Sequence, residues 1–408
     1  MRLLIHNVDR LSINCKAGAE IMKRLTVLTG TRADFGLLSP IIRKLMAYPD
    51  LDVRLAVTGA HLSPEFGMTV SEIEAERIPI DKKLEILLSA DTPSSISKSM
   101  GLAMIGFADY FADTAPDALL VLGDRYETLA AACAAVNARI PIFHLYGGET
   151  TEGAVDEGFR HALTKLSCIH FVANTEFRRR VIQLGEDPER VFQVGAMGPE
   201  NAIHMPKLSL PELEESLGCS LGKHYAVLTF HPVTLEQNTA QQQAEELVKA
   251  LSRFPDISFL CTKANADADG RVINTVLEEY SSERENVFLF DSLGAKRYLS
   301  ALSHALFAIG NSSSGVAEVP CFHIPTVNIG DRQKGRMQGE SIINCAPCAD
   351  SIAEAIQTAL SPAFREIARN ASNPYGDGNT SGKIAEIVHD HLIREKLVLK
   401  KKFYDVDF

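Results

Sequence analysis

Short runs of β-branched and aliphatic residues alternate with helical segments along almost the whole chain, and this alternation narrows the fold more than any other feature. RLTVLTG (24–30), VRLAVTG (53–59), ALLVLGD (118–124), IPIFHLY (140–146), IHFVAN (169–174) and RVFQVG (190–195) read as strands in the first half. HYAVLTF (224–230), ISFLCT (257–262), VFLF (287–290), ALFAIG (305–310), PTVNIG (325–330) and SIIN (341–344) repeat the arrangement in the second. Helical patterns such as LSPIIRKLMAY, YETLAAACAAVNA, AEELVKALSRF and AKRYLSALSH lie between them. Strands separated by helices predict parallel pairing through crossover helices. Nearly continuous apolar strands predict sheets covered on both faces.

A chain of 408 residues is longer than one core usually organises. The expected fold is therefore α/β, with two doubly wound, Rossmann-like domains facing each other across a central cleft. Pro199, Pro206 and Pro211 interrupt the pattern over 199–218, which places the linker there. The resulting expectation is an N-terminal extension over 1–21, an N-terminal domain over 22–200 and a C-terminal domain over 201–380. The helix and tail over 381–408 are expected to pack back on the N-terminal domain. NASNPYGDGNTSG (370–382) reads as turn-rich and irregular.

A net charge of −11 argues against nucleic acid as a general partner, while leaving room for a local basic site for a small anion. No apolar run reaches the ~18 residues of a membrane span. The N-terminus has no signal-peptide core, being interrupted by His6, Asp9 and Arg10, so a cytoplasmic location is expected. The first strand starts directly after Met22, and residues 1–21 read as an extension upstream of the true start. Of the eight cysteines, Cys345 and Cys348 form a CxxC, but no second half of a zinc site accompanies it. Reduced, mostly buried thiols are expected, with no metal and no cofactor.

In doubly wound sheets, ligands bind beyond the carboxyl ends of the strands. After the first strand comes GTRADFG (30–36), where Arg32 and Asp34 flank a turn that is either a phosphate site or a tight turn with a surface arginine. GDRYETL (123–129) places Asp124 and Arg125 at a strand end, where Asp124 serves equally as a helix cap or as an acid–base group. FHLYGGETTEGAVDEGFRH (143–161) is the most loaded stretch. Gly147 and Gly148 allow the backbone close to a ligand, and Glu149, Glu152, Asp156 and Glu157 precede Arg160 and His161. Val155, Phe159, Ala162, Leu163 and Leu166 form the expected buried stripe of the following helix. At spacings of four, Asp156 can pair with Arg160 and Glu157 with His161.

In the second half, His231 and Asn265 end strands on the side of the expected cleft. In GNSSSGVAE (310–318), Ser312, Ser313 and Ser314 open a helix as a phosphate cradle, with Glu318 one turn in for a ribose diol. Arg332, Lys334 and Arg336 in NIGDRQKGRMQGES supply cations for a diphosphate. These residues together suit an enzyme acting on a nucleotide-sugar, without specifying the reaction.

GTRADFG, GDRYETLA, GGETTEGAVDEGFRHALTKLS, FHPVT, GNSSSGVAEVP and GDRQKGR, in that order, resemble the hydrolysing UDP-N-acetylglucosamine 2-epimerases across residues 23–395. The resemblance implies the glycosyltransferase-B fold and a defined reaction. A base removes the C2 proton, UDP leaves C1 by anti elimination, and water adds to the resulting glycal to release the free 2-epimer. It implies Asp124 and Asp156 as proton carriers, with His161 in the same motif. Arg32, His231, Ser312, Ser313, Glu318 and Arg332 match positions expected at the UDP. Homodimers or homotetramers are implied as well.

Members of the sialic acid pathway usually carry E-G-G-E where this chain has Tyr146 followed by Gly147, Gly148 and Glu149. Tyr146, Glu149 and Asp124 are then alternative bases. The TEG insertion (151–153) and SISKSMGLAMIGFA (95–108) look closer to a sister branch acting on N,N′-diacetylbacillosamine nucleotides, UDP- or GDP-linked, on the way to legionaminic acid. A glycosyltransferase of the same fold and a non-catalytic nucleotide-sugar sensor are the competing readings.

Overall fold

The computed structural model describes residues 22–88, 92–150, 155–232, 239–264, 270–394 and 397–406. The expected N-terminal extension, the TEG insertion, Glu152 and Asn265 lie outside the described residues.

The first sheet contains β1 (Lys23–Thr29), β2 (Leu51–Thr58), β3 (Ile80–Leu84), β4 (Ala118–Leu122), β5 (Ile142–Leu145), β6 (Ile169–Val172) and β7 (Val191–Gln193). All pair in parallel in the order β3-β2-β1-β4-β5-β6-β7. The second contains β8 (Tyr225–Thr229), β9 (Ser258–Thr262), β10 (Val287–Phe290), β11 (Phe307–Gly310), β12 (Thr326–Ile329) and β13 (Ile342–Cys345). It is also parallel, in the order β10-β9-β8-β11-β12-β13. The strand order reverses once in each sheet, between β1 and β4 in the first and between β8 and β11 in the second. A crevice opens at such a reversal, beyond the carboxyl ends of the strands.

Both faces of each sheet are covered. Leu25, Val27, Val53 and Leu120 point to one side of the first sheet, while Leu28, Ala56, Leu119 and Val121 meet the long helix Pro93–Thr114 on the other. Ala226, Leu228 and Phe259 face one layer of helices in the second, and Tyr225, Val227 and Leu260 face the opposite one. These apolar strands are the ones read from the sequence. β3 was not read, because IDKKL exposes Asp81, Lys82 and Lys83 at the sheet margin. Charge on an edge strand blocks further pairing and hides the alternation that marks a strand.

The proline-rich segment is more ordered than its composition implies. It forms the helices Met197–His204 and Leu210–Leu217, with Pro199 and Pro211 in their first turns, where a missing N–H costs nothing. The chain leaves the first sheet through Gly195 and Ala196 and returns beside them. The Ala196 N–H donates to the Tyr375 carbonyl at 2.6 Å. Gly195 has φ 94°, and a Cβ there would lie 2.8 Å from Thr380 Oγ1. Only glycine fits both the conformation and the contact.

After the return, the helix Thr380–Ile393 packs on the helix Arg32–Leu45, adding Ile384, Ala385, Val388 and Leu392 to the core of the first sheet. His389 pairs with Asp50 at 2.9 Å and stacks on Tyr48 at 4.0 Å between ring centroids. Buried Glu200, on the outgoing crossing, accepts from Ser381 N at 2.6 Å and also holds the Ser381 hydroxyl. No helix among the described residues is long and apolar enough to cross a membrane.

Candidate active site

β4 is followed by Gly123, whose φ of 78° turns the chain so that Asp124 stands beyond the sheet. His144 on β5 supports this turn. Its Nε2–H donates to the Gly123 carbonyl at 2.8 Å, and burial brings its pKa down to about 3, so the ring works as a neutral donor. Asp124 is ion-paired with Arg160, which is buried on the helix Asp156–Leu166 and also reaches Glu157 at 3.1 Å. Burial pushes the Asp124 carboxyl above its usual range, and Asp156 adds to the effect, while Arg160 opposes both. Asp156 is exposed on the first turn of the helix.

The two spacings of four end differently. Glu157 and His161 do pair, at 3.1 Å, and His161 Nδ1 is buried without a hydrogen-bond partner among the described residues. Arg160, by contrast, turns inward to Asp124. Leu163 and Thr164 share its buried face, whereas Val155, expected in the buried stripe, is 75 % exposed. The stripe is rotated because an ion pair occupies its leading position.

Glu149 follows in the loop after β5. Burial pushes its carboxyl up; Arg336 and Arg160 pull it down, and Asp124 pushes it up. The close approach allowed by the two glycines is to the protein itself. At Gly148, a Cβ would meet the Phe177 carbonyl oxygen at 2.4 Å. Tyr146, at φ 67°, turns its ring into the apolar contact between Leu145, Phe171 and Met197, and its hydroxyl accepts from Met197 N at 2.8 Å. Burial raises its pKa strongly, so this phenol is tied to the crossing helix and disfavoured as a base.

At the remaining first-sheet crevice, Thr31 and Asp34 form a reciprocal capping box at 3.2 and 3.1 Å. Arg32 is exposed and pairs with Glu72 at 3.1 Å. Arg125 pairs with buried Glu127.

In the second sheet, Asn311 ties the switch-point loops together. Its Oδ1 accepts from His231 N and its Nδ2 donates to the His231 carbonyl, both at 2.8 Å. Arg332 Nη1 and Gln333 Nε2 donate to the Asn311 carbonyl at 3.1 and 2.9 Å. Beside this knot lies a cavity of about 340 Å³ lined by Thr229, His231, Gly294, Tyr298, Ser312 and Ser314. The expected helical cradle is reduced to one turn, Ser314–Ala317, because Pro320 follows and the chain continues as a 3₁₀ turn. Its hydroxyls are partly engaged: Tyr298 donates to Ser314 Oγ at 2.9 Å, and Ser314 donates to Glu318. Ser313 is exposed. Glu318 lies against Gly198 of the outgoing crossing, and burial pushes its carboxyl up.

The structure thus brings Asp124, Glu149 and Asp156 together, and His231, Ser312, Ser314 and Arg332 together. Arg32 and Asp34 stand with Arg125 and Glu127 at the β1 end. Sequence reading did not single out Arg160 as a site residue. For Arg160 a signal existed, since it shares a helical face with Leu163 and Thr164.

The fold is that of a two-domain α/β cleft protein with polar loops at both switch points. Residues 43–389 match the family described as UDP-N-acetylglucosamine 2-epimerase. A GDP/UDP-N,N′-diacetylbacillosamine 2-epimerase (hydrolyzing) of Campylobacter jejuni is 42 % identical over 79 % of this chain and 84 % of its own length. A UDP-N,N′-diacetylbacillosamine 2-epimerase (hydrolyzing) of Legionella pneumophila is 33 % identical over 94 % of this chain and all of its own. The solved UDP-GlcNAc 2-epimerase of Neisseria meningitidis, bound to UDP-GlcNAc, superposes with a TM-score of 0.73 at 20 % identity, covering 90 % of this chain and 100 % of that one. This chain belongs to the UDP-N-acetylglucosamine 2-epimerase family.

Proposed function

We propose that this protein is a hydrolysing 2-epimerase of a UDP-linked 2-acetamido sugar. The observation that carries the reading is the position of Glu149, a carboxylate acted on by Asp124 and Arg160 of the first domain and by Arg336 of the second. A base standing where the two domains meet can address the sugar of a substrate whose nucleotide is held on the opposite side.

Inversion at C2 needs one group to take the proton and another to return it on the opposite face. Glu149, its carboxyl raised by burial, removes the C2 proton. UDP departs from C1 as its charge is received by Arg332 and the serine loop, with His231 beside them. Asp124, its carboxyl raised by burial and by the neighbouring Asp156 against the pull of Arg160, delivers a proton to C2 as water adds to C1, and regains one from that water. Arg160 orients Asp124 throughout. The products are UDP and the free 2-epimer.

The diacetylbacillosamine 2-epimerases among the relatives favour a 2,4-diacetamido sugar over N-acetylglucosamine, within a nonulosonic acid route. Tyr146, at the position where sialic acid members usually keep glutamate, agrees with that choice. Incubation in D₂O with UDP-GlcNAc and with UDP- and GDP-N,N′-diacetylbacillosamine tests the reading. Release of nucleotide with deuterium at C2 is the expected result for the diacetamido sugar. Turnover of UDP-GlcNAc alone would reverse the sugar assignment, and release from none would refute the reaction.

A further inference from the structure

One buried group beside Glu149 is unused by this mechanism. Tyr375 lies in the return crossing, only 4 % exposed, with its ring among Val172, Phe177 and Ala196. Its backbone is fully engaged, the N–H donating to Asn373 Oδ1 at 2.9 Å and the carbonyl accepting from Ala196. Its hydroxyl is buried and has no hydrogen-bond partner among the described residues. Such an orphan is costly, and a native site that retains one has a reason for it. The charged groups acting on this hydroxyl are Arg336, Glu149 and Glu176. Glu176 already receives Arg180 at 2.9 Å. Arg336 acts on Glu149 as well. The other tyrosine near Glu149, Tyr146, has its hydroxyl taken by Met197.

We propose that Tyr375 is a positioning residue for Glu149: when a substrate diphosphate draws Arg336 away, the Tyr375 hydroxyl donates to the Glu149 carboxylate and holds it toward the sugar. A diphosphate competes well for an arginine, because both are built for paired, charge-assisted hydrogen bonds. Glu149 then loses a counter-ion while still facing Asp124, and it would take up a proton unless another donor stabilised its charged form. A neutral phenol does this without cancelling the carboxylate's basicity as a guanidinium would. Arg160 remains the nearby cation, and Glu200 and Glu318 act on Tyr146 rather than on Tyr375. The proposal rests on the role of Glu149 given above.

The test is Tyr375→Phe, read in two independent ways. Calorimetry of UDP binding at mildly acidic pH, in buffers of different ionisation enthalpy, counts the protons taken up. Y375F should take up more than the wild type, because Glu149 is left without its donor. In turnover, kcat should fall roughly 10-fold with KM within about twofold. The acidic limb of the kcat profile should move to higher pH, the direction expected when a hydrogen bond to the charged form is lost. The melting temperature should hold, since the deleted hydroxyl has no partner to lose. Equal proton uptake in the two proteins, or an unmoved limb, overturns the proposal. Extra uptake by Y375F with no release of nucleotide from any sugar would uphold the contact and refute the epimerase reading instead. If Y375F fails to fold, 3,5-difluorotyrosine at position 375 is the isosteric alternative. As a stronger donor it should move the limb, or the proton uptake, in the opposite direction, and no movement overturns the proposal.

Discussion

The two domains are wound alike, yet their switch-point loops are built for different work. Beyond β4 and β5 the first domain sets carboxylates into partly buried positions and balances them with arginines: Asp124 against Arg160, and Glu149 between Arg160 and Arg336. Beyond β8 and β11 the second domain uses an amide knot at Asn311, surrounded by hydroxyls and a cation. Topology decides where a ligand can sit, and the side chains on the loops decide whether protons move there. A carboxylate that feels both burial and a cation is poised between protonation states. An amide that satisfies backbone groups holds a shape and changes nothing with pH.

The contrast breaks most sharply at Glu149. Glu149→Gln should lower kcat by roughly 10²–10⁴-fold while leaving UDP affinity, measured by calorimetry, within a few-fold. A matching loss of UDP affinity would mean that the carboxylate belongs to binding rather than to chemistry. Arg160→Met comes next. It strands Asp124 in a largely buried position without its cation, and removing one partner of a buried pair costs about 3 kcal/mol. The outcome to check is a lowered urea midpoint together with a damaged kcat; an unchanged midpoint would make the pair dispensable.

Asn311→Ala addresses the other domain. It removes the two hydrogen bonds that Asn311 makes to the His231 backbone, at about 1–3 kcal/mol. The expected effect is weaker UDP binding by roughly 10-fold, with the pH profile of turnover unmoved. A shifted profile would erase the distinction between the two loops.

The smallest effect concerns acid stability, and it sits away from the cleft. Burial would raise Glu186, but hydrogen bonds from His170, Lys165 and Lys401 outweigh it and bring its pKa down to about 2. A carboxylate depressed in the folded state stabilises it above the unfolded value near 4.5, and that contribution fades as pH falls toward 2. Urea titrations at descending pH should show this loss in the wild type and a flatter curve in Glu186→Gln. Parallel curves would remove Glu186 from the acid response.

Much of this was legible in the chain itself. Apolar runs such as ALLVL and YAVLT announce central parallel strands, since both faces are buried. The strand ends that follow them point to Asp124, Glu149, His231 and the serine loop. β3 was hidden because an edge strand obeys solubility rather than burial. The inward turn of Arg160 depends on which face of its helix meets Asp124, and the link from Arg336 to Glu149 depends on how two separately folded sheets meet. Neither relation is local, so no periodicity or spacing encodes it. The stretch around Tyr375 is rich in turn residues, a composition that marks irregular backbone without saying that it crosses between domains.

The paired crossings at Ala196 and Tyr375 have a further consequence. The second sheet is carried entirely on a loop-out of the first, leaving and re-entering through backbone already joined by a hydrogen bond at 2.6 Å. In engineering terms it is a cassette. Its two connections to the host lie side by side at Ala196 and Tyr375, so the host chain is nearly closed on itself there. A pull applied through β1 and the helix Thr380–Ile393 would meet the packing of the host domain first.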